Sequence, residues 1–311
     1  METQFTPPLR LILTHLCNGN CVFCHKEGFG EKGTMDWTTI CDCSSVAEEL
    51  GIPSISLTGG EPTIRKDLAT IINGLQNRYS GHVCLTTNGY ALSNLHNKIN
   101  RPLHTVNLSM ISFNKDLWEK YQNVAPQKAL SDIQLLSALN KNLNIVITDD
   151  NYREINDTIS CCIDNSISLD IMFELKRYNK SDIAIQQFVL YSFLKLGTPI
   201  IQYGPTPSLT INVGNACKIS IKHPVLTSLV RWDVCHGCKQ ISSCFERICA
   251  IRVYPNGIVT PCLNHEIVAN GECIKDKIQN TYQLLGQIKI TYVELSELIV
   301  NSGFNFNLMK I

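Results

Sequence analysis

The chain has 311 residues, with 27 Lys+Arg against 27 Asp+Glu, 44% hydrophobic and 17% charged residues. That length allows one large domain and a smaller one, and the neutral charge balance offers no surface for a polyanion, so nucleic acid is not an expected partner. No apolar run approaches the roughly 20 residues of a membrane span, and Met1 to Pro8 lacks the basic and apolar segments of a signal peptide; a cytoplasmic protein without membrane partners is expected.

In chain order, short apolar runs at 9–14, 54–58, 82–87, 105–110, 143–148 and 169–175 alternate with stretches of helical period at 37–50, 65–79, 91–99, 127–140, 153–165 and 183–196. Strands separated by single helices predict a parallel sheet with right-handed crossovers. Over residues 1–204 these units make a partial (β/α)6 TIM-like barrel; an open doubly wound sheet has the same alternation, and periodicity leaves that choice open. Residues 205–311 form the expected second domain. There 208–213 and 217–221 read as strands, 251–254 and 258–260 as a hairpin about Asn256-Gly257, and the tail from Ile274 as mostly helical.

The 15 cysteines are unevenly spread. Without an export signal, cysteines are more often metal ligands or buried thiols than disulfides. The first group reads Cys17-Asn18-Gly19-Asn20-Cys21-Val22-Phe23-Cys24, directly after the first strand. Three thiolates on one loop hold three irons of a 4Fe-4S cubane and leave the fourth iron open. An open iron chelates the amino and carboxylate groups of S-adenosyl-L-methionine (SAM), and an electron from the cluster then breaks a carbon–sulfur bond to give a 5′-deoxyadenosyl radical. Zinc is the competing reading, but zinc takes four ligands and only His25 stands near Cys24 as a further candidate.

Thr58-Gly59-Gly60-Glu61-Pro62 follows the second strand. Two glycines let backbone approach a ligand closely; the plainer account is a tight strand-to-helix turn that Pro62 opens. Thr86-Thr87-Asn88-Gly89, Val106-Asn107-Leu108-Ser109 and Phe173-Glu174-Leu175 close later strands. Each alone is a polar strand end. Together they line the C-terminal ends of successive parallel strands, where barrel active sites form.

The CxxxCxxC spacing resembles the signature of the radical SAM superfamily, and the segments jointly resemble its GTP 3′,8-cyclase group and relatives from molybdenum cofactor biosynthesis. The resemblance covers most of residues 9–177, includes Cys24-His25-Lys26-Glu27-Gly28, and returns near 235–263. It implies that Phe23 lies against SAM, that Gly59, Gly60 and Glu61 bind its methionine end, and that Thr87, Asn88, Ser109 and Glu174 border it. It also implies catalytic roles for Glu61 and for Arg10, the latter at a position that contacts a nucleotide triphosphate. There are departures. Ser56 stands where the cyclase has Arg, Ala250-Ile251 stand where it has Asn-Arg, leaving Arg252 as the match, and the chain ends Asn307-Leu308-Met309-Lys310-Ile311 rather than in two glycines. Losing phosphate-binding arginines points away from GTP itself.

The second group, Cys235-x2-Cys238-x5-Cys244-x4-Cys249-x12-Cys262, is similar to the SPASM and twitch extensions that carry auxiliary iron–sulfur clusters, with one residue more in its spacing and a changed order. The expected set is Cys235, Cys238, Cys244 and Cys262 on an auxiliary 4Fe-4S cluster facing the barrel mouth, with Cys249 as alternate; a zinc ribbon is the other reading. The remaining cysteines read as buried thiols, with Cys217 and Cys273 open as further ligands. The function expected is hydrogen abstraction from a small-molecule substrate, a nucleotide, nucleoside or natural-product intermediate, with an external reductant such as flavodoxin or ferredoxin. A ribosomal peptide substrate is the alternative, and the short stretch ahead of the first strand leaves no room for a peptide-binding domain there. A non-catalytic iron–sulfur or zinc protein would have no use for Glu61 and the polar strand ends.

Overall fold

The computed structural model describes residues 5–21, 23–24, 33–122, 126–174, 180–204, 206–214, 217–223, 226, 229–239, 248–263, 270–286, 288–293 and 295. Cys244, residues 25–28, Leu175 and residues 307–311, all drawn on above, lie outside them.

The described elements run β1 (Leu9–Ile12), α1 (Trp37–Glu49), β2 (Ser54–Thr58), α2 (Leu68–Arg78), β3 (His82–Thr87), β4 (Leu103–Met110), α3 (Lys115–Tyr121), α4 (Pro126–Leu135), β5 (Ala138–Ile147), α5 (Ile155–Asp164) and β6 (Ser168–Phe173). They continue with α6 (Lys180–Leu194), β7 (Ile200–Gln202), β8 (Ser208–Val213), β9 (Cys217–Lys222), β10 (Val230–Trp232), β11 (Ile251–Val253), β12 (Val259–Thr260), α7 (Ile274–Leu285) and β13 (Ile288–Ile290). Among the described residues no helix is long and apolar enough to cross a membrane.

β1 to β6 pair in parallel and in sequence order, as the alternation predicts. The sheet does not stop there. β9 joins β6 in parallel and carries β8 and β7, while β11 joins β1 in parallel and carries β12. The order is thus β12-β11-β1-β2-β3-β4-β5-β6-β9-β8-β7, one eleven-stranded sheet that runs across the expected division at 204/205.

Leu9, Leu11, Ile55, Leu57, Val83, Leu85, Val106, Leu108, Leu143 and Ile145 alternate along the strands into the buried core. Strands of a parallel sheet covered on both faces read as continuous apolar runs. Here the alternate positions are polar instead: Arg10, Ser56, Cys84, Asn107, Asn142, Asn144 and Asp170 share the other face. Asn142 Nδ2 donates to Asn107 Oδ1 at 3.1 Å and Asn144 Oδ1 at 2.8 Å, and Lys222 pairs with Asp170 at 2.9 Å.

Three local expectations change. The stretch 91–99 holds only a 3-10 turn, Leu92–Leu95, and Asn97 beyond it takes a left-handed φ of 59°, which ends a helix. The helix expected over 127–140 stops at Leu135 because Asn140, Asn142 and Asn144 already alternate with period two, and β5 begins at Ala138. α3 was not anticipated; the side chain of Asn114 caps it, accepting from Asp116 N at 2.9 Å.

Candidate active site

Cys17, Cys21 and Cys24 lie on the loop that leaves β1, at the C-terminal end of the strand. The glycine pair sits beside it. Gly60 N donates to Thr14 O and Glu61 N to Leu16 O, both at 2.7 Å. A Cβ on Gly60 would stand 2.1 Å from Leu16 O, and one on Gly59 2.5 Å from Thr14 O. No side chain tolerates such distances, so both positions require glycine. The close approach that they permit is to the lead-in of the cysteine loop, a partner that the sequence did not reveal.

Glu61 is 1% exposed. Its Oε1 accepts from Thr63 N at 3.0 Å, Thr63 Oγ1 at 2.6 Å and Thr87 Oγ1 at 2.5 Å, and its Oε2 accepts from Asn88 N at 2.7 Å. Burial raises its pKa, and the N–H and O–H donors of Asn88, Thr63 and Thr87 oppose that rise without cancelling it. The carboxylate therefore ties the end of β2 to the end of β3. Arg65 braces the same turn, donating to Leu13 O at 3.0 Å and Met35 O at 2.7 Å while forking onto Asp67.

Thr87 also turns inward, its hydroxyl on Glu61 and on Gly89 N. Asn88 is 8% exposed and donates from Nδ2 to Asn18 Oδ1 at 3.0 Å. Ser109 closes β4 level with Asn144, and Phe23 packs half-buried against the core. Glu174 follows β6 and lines a small pocket with Thr148, Asp149, Phe173 and the buried Gln186. Glu61, Thr87, Asn88, Ser109 and Glu174 stand at or just past the C-terminal ends of β2, β3, β4 and β6. Arg10 is set apart from them: it sits deeper on the polar face, in register with Ser56 on one side and the fully buried Arg252 on the other.

The three thiols suit an iron–sulfur cluster. Burial and then the neighbouring thiolates of Cys24 and Cys17 push the Cys21 pKa up to about 12, so the sulfurs feel one another's charge. The Cys17 thiol is raised first by burial, with Glu61 and Cys24 adding to it against the Gly19 N–H. Thiols raised in this way, Cys17 and Cys21, hold their protons until a cation replaces them. Among the described residues no three ligating side chains already close on one point.

The second cysteine group lies elsewhere. Cys249 stands just before β11, whose first residue pairs with Leu9 at the start of β1, and Cys262 follows β12, which runs back antiparallel. Both therefore sit at the N-terminal end of β1, opposite to Cys17. That corrects the expectation of a second cluster facing the same mouth. Cys235 and Cys238 share one 3-10 turn, with Cys238 N donating to Cys235 O at 3.1 Å.

Residues 11–162 match the Radical SAM superfamily. A "Probable GTP 3',8-cyclase" of Sulfurisphaera tokodaii is 37% identical over 175 residues, 54% of this chain and 55% of that protein. One of Saccharolobus solfataricus is 40% identical over 118 residues, 37% of this chain and 38% of that protein. The chain thus spans about half or less of the length of these curated relatives. Among solved structures, Streptococcus suis SuiB bound to precursor peptide SuiA aligns with a TM-score of 0.59 at 16% identity, over 86% of this chain and 62% of that one. Native anSMEcpe with bound AdoMet and Kp18Cys peptide aligns at 0.55 with 18% identity, over 89% and 81%. At such identities the likeness is one of fold, and it resolves the choice between an open sheet and a barrel in favour of a TIM-barrel-like α/β architecture. Residues 11–162, with their cysteine loop and paired glycines at adjoining strand ends, thus carry a domain that matches the radical SAM superfamily.

Proposed function

We propose that the chain is a radical SAM enzyme acting on a small polar substrate. Cys17, Cys21 and Cys24 would hold the 4Fe-4S cluster, and Gly59, Gly60, Phe23, Asn88, Ser109 and Glu174 would border SAM. When bound, that pair supplies the electron and the carbon–sulfur bond from which a 5′-deoxyadenosyl radical arises. One observation carries the reading: the lead-in to the cysteine loop and the Gly59-Gly60-Glu61 turn, separate in sequence, bond to each other at the C-terminal ends of β1 and β2.

The chain's own residues do the rest. Glu61 stiffens the β2 and β3 ends instead of exchanging protons, because both its oxygens are engaged. Of two neighbours in register, Arg252 is fully buried and donates to Ala250 O and Cys249 Sγ, while Arg10 offers an anionic substrate group a guanidinium plane on the polar face. Asn107, Asn142 and Asn144 add neutral hydrogen-bonding groups across it. These features favour a nucleotide, nucleoside or comparable natural-product intermediate. The peptides bound to SuiB and anSMEcpe favour a second reading, modification of a ribosomal peptide.

Cys235, Cys238 and Cys262, with Cys244 or Cys249, would hold an auxiliary 4Fe-4S cluster at the far end of the barrel, so that a substrate on the polar face lies between two metal sites. An external one-electron reductant of the flavodoxin or ferredoxin kind completes the cycle, in a cytoplasmic setting. The test is anaerobic reconstitution with iron and sulfide, reduction by dithionite and measurement of 5′-deoxyadenosine from SAM. Its absence at full iron loading overturns the reading.

A further inference from the structure

The described residues of the cysteine loop between Cys17 and Cys24 form no helix or strand, so its position depends on what fastens it. Glycine backbone holds its entry. The other fastener is the C-terminus of α3. Asn20 N donates to Tyr121 O at 2.9 Å, the Cys21 thiol to the same carbonyl at 3.5 Å, and Asn18 Nδ2 to Gln122 O at 3.2 Å. These are carbonyls that a helix end leaves for outside donors.

Gln122 in turn fixes that helix end. It is 1% exposed, its Oε1 accepts from Ile111 N at 3.1 Å, and its Nε2 donates to Ser109 O at 2.9 Å. A single buried amide thus clamps the exit of β4 to the helix end that carries the cysteine loop. On the other flank Asn88, at the exit of β3, reaches Asn18 Oδ1. Asn18 therefore links the exit of β3 to the end of α3 with one side chain.

We propose that Gln122 and Asn18 are positioning residues that set the place, and through it the reduction potential, of the cluster bound by the three cysteines. The inference rests on the cluster reading of the loop. The negative end of α3 faces the cysteines, and its oriented carbonyls disfavour an added electron. Holding the loop there keeps the potential low. Releasing it removes that field and admits water, and both changes move the potential upward.

The test is the midpoint potential and reduced-state EPR spectrum of the reconstituted first cluster, measured with Cys235, Cys238, Cys244, Cys249 and Cys262 replaced by Ala to remove second-site signals. Gln122→Leu and Asn18→Ala should each shift the potential positive and alter the EPR line shape. Asn20→Ala, an exposed side chain of the same loop, should do neither. A purely structural role for Gln122 would lower the melting temperature and leave the potential in place. If Gln122→Leu does not fold, Asn18→Ala decides, since its side chain is only part-buried. An unshifted potential in Asn18→Ala at full iron content overturns the inference. A parent protein that takes up no iron overturns the cluster reading instead.

Discussion

The two cysteine groups are built on opposite principles. Cys17, Cys21 and Cys24 lie on one loop within eight residues and are fastened by other parts of the chain: glycine backbone after β2, Asn88 after β3 and the end of α3. The later group is spread over a 3-10 turn and the two ends of a hairpin, and its placement comes from strand pairing, β11 on β1 and β12 on β11. A local ligand set needs distant supports, whereas a dispersed set is carried on secondary structure. The first announces its chemistry in its spacing. The second leaves its membership open.

The sharpest way to break this comparison is to remove ligands one at a time. Cys17→Ala, Cys21→Ala and Cys24→Ala should each abolish 5′-deoxyadenosine formation while circular dichroism and melting stay near those of the parent, because the loop adds no core side chain among these positions. Full turnover by any one of them refutes the first set. For the second set, metal analysis of the triple variant Cys17→Ala/Cys21→Ala/Cys24→Ala should return about four irons with sulfide per chain. Zinc without sulfide would make the far end a structural ribbon.

A smaller effect tests the supports. Gly60→Ala forces backbone against Leu16 O and should cost about 1–3 kcal/mol or more, with a parallel loss of iron uptake. Gly51→Ala has open space around it and strains only its φ of 60°, so it should cost roughly 1–2 kcal/mol and leave iron uptake alone. Equal iron loss in both would mean that the fit against Leu16 does not matter. The last test is Glu61→Gln. Turning an acceptor into a donor among four donors should destabilise by about 1–3 kcal/mol, seen in the melting temperature. A collapse of turnover at unchanged melting and iron content would return Glu61 to a catalytic role.

Much of this frame was legible in the sequence because alternation and helical period are local. The bounds of β2 and β3 follow from their residues alone. The first half of β5 did not, since Leu139 and Leu143 also fit a helical spacing and only pairing with β4 decides. The cysteine motif and the paired glycines were readable as residue types. Their mutual contact was not, nor was the clamp by Gln122, since its partners at Ser109, Ile111 and Asn18 are backbone atoms or distant in sequence. Such bonds leave no pattern in a single chain. The side of the barrel taken by Cys249 and Cys262 was hidden for the same reason: it depends on β11 finding β1.

That pairing has a consequence for the order of assembly. β1 lies between β2 and β11, so one of its two ladders is supplied by residues about 240 positions later in the chain. During synthesis the strand that carries the cysteine loop stays an open edge until Ile251–Val253 has left the ribosome. Contacts so distant in sequence close slowly, and an unpaired parallel edge invites wrong partners in the meantime. Iron–sulfur loading that waits for a fully paired β1 therefore follows the emergence of β11, and truncation ahead of Ile251 would strand β1 half-paired.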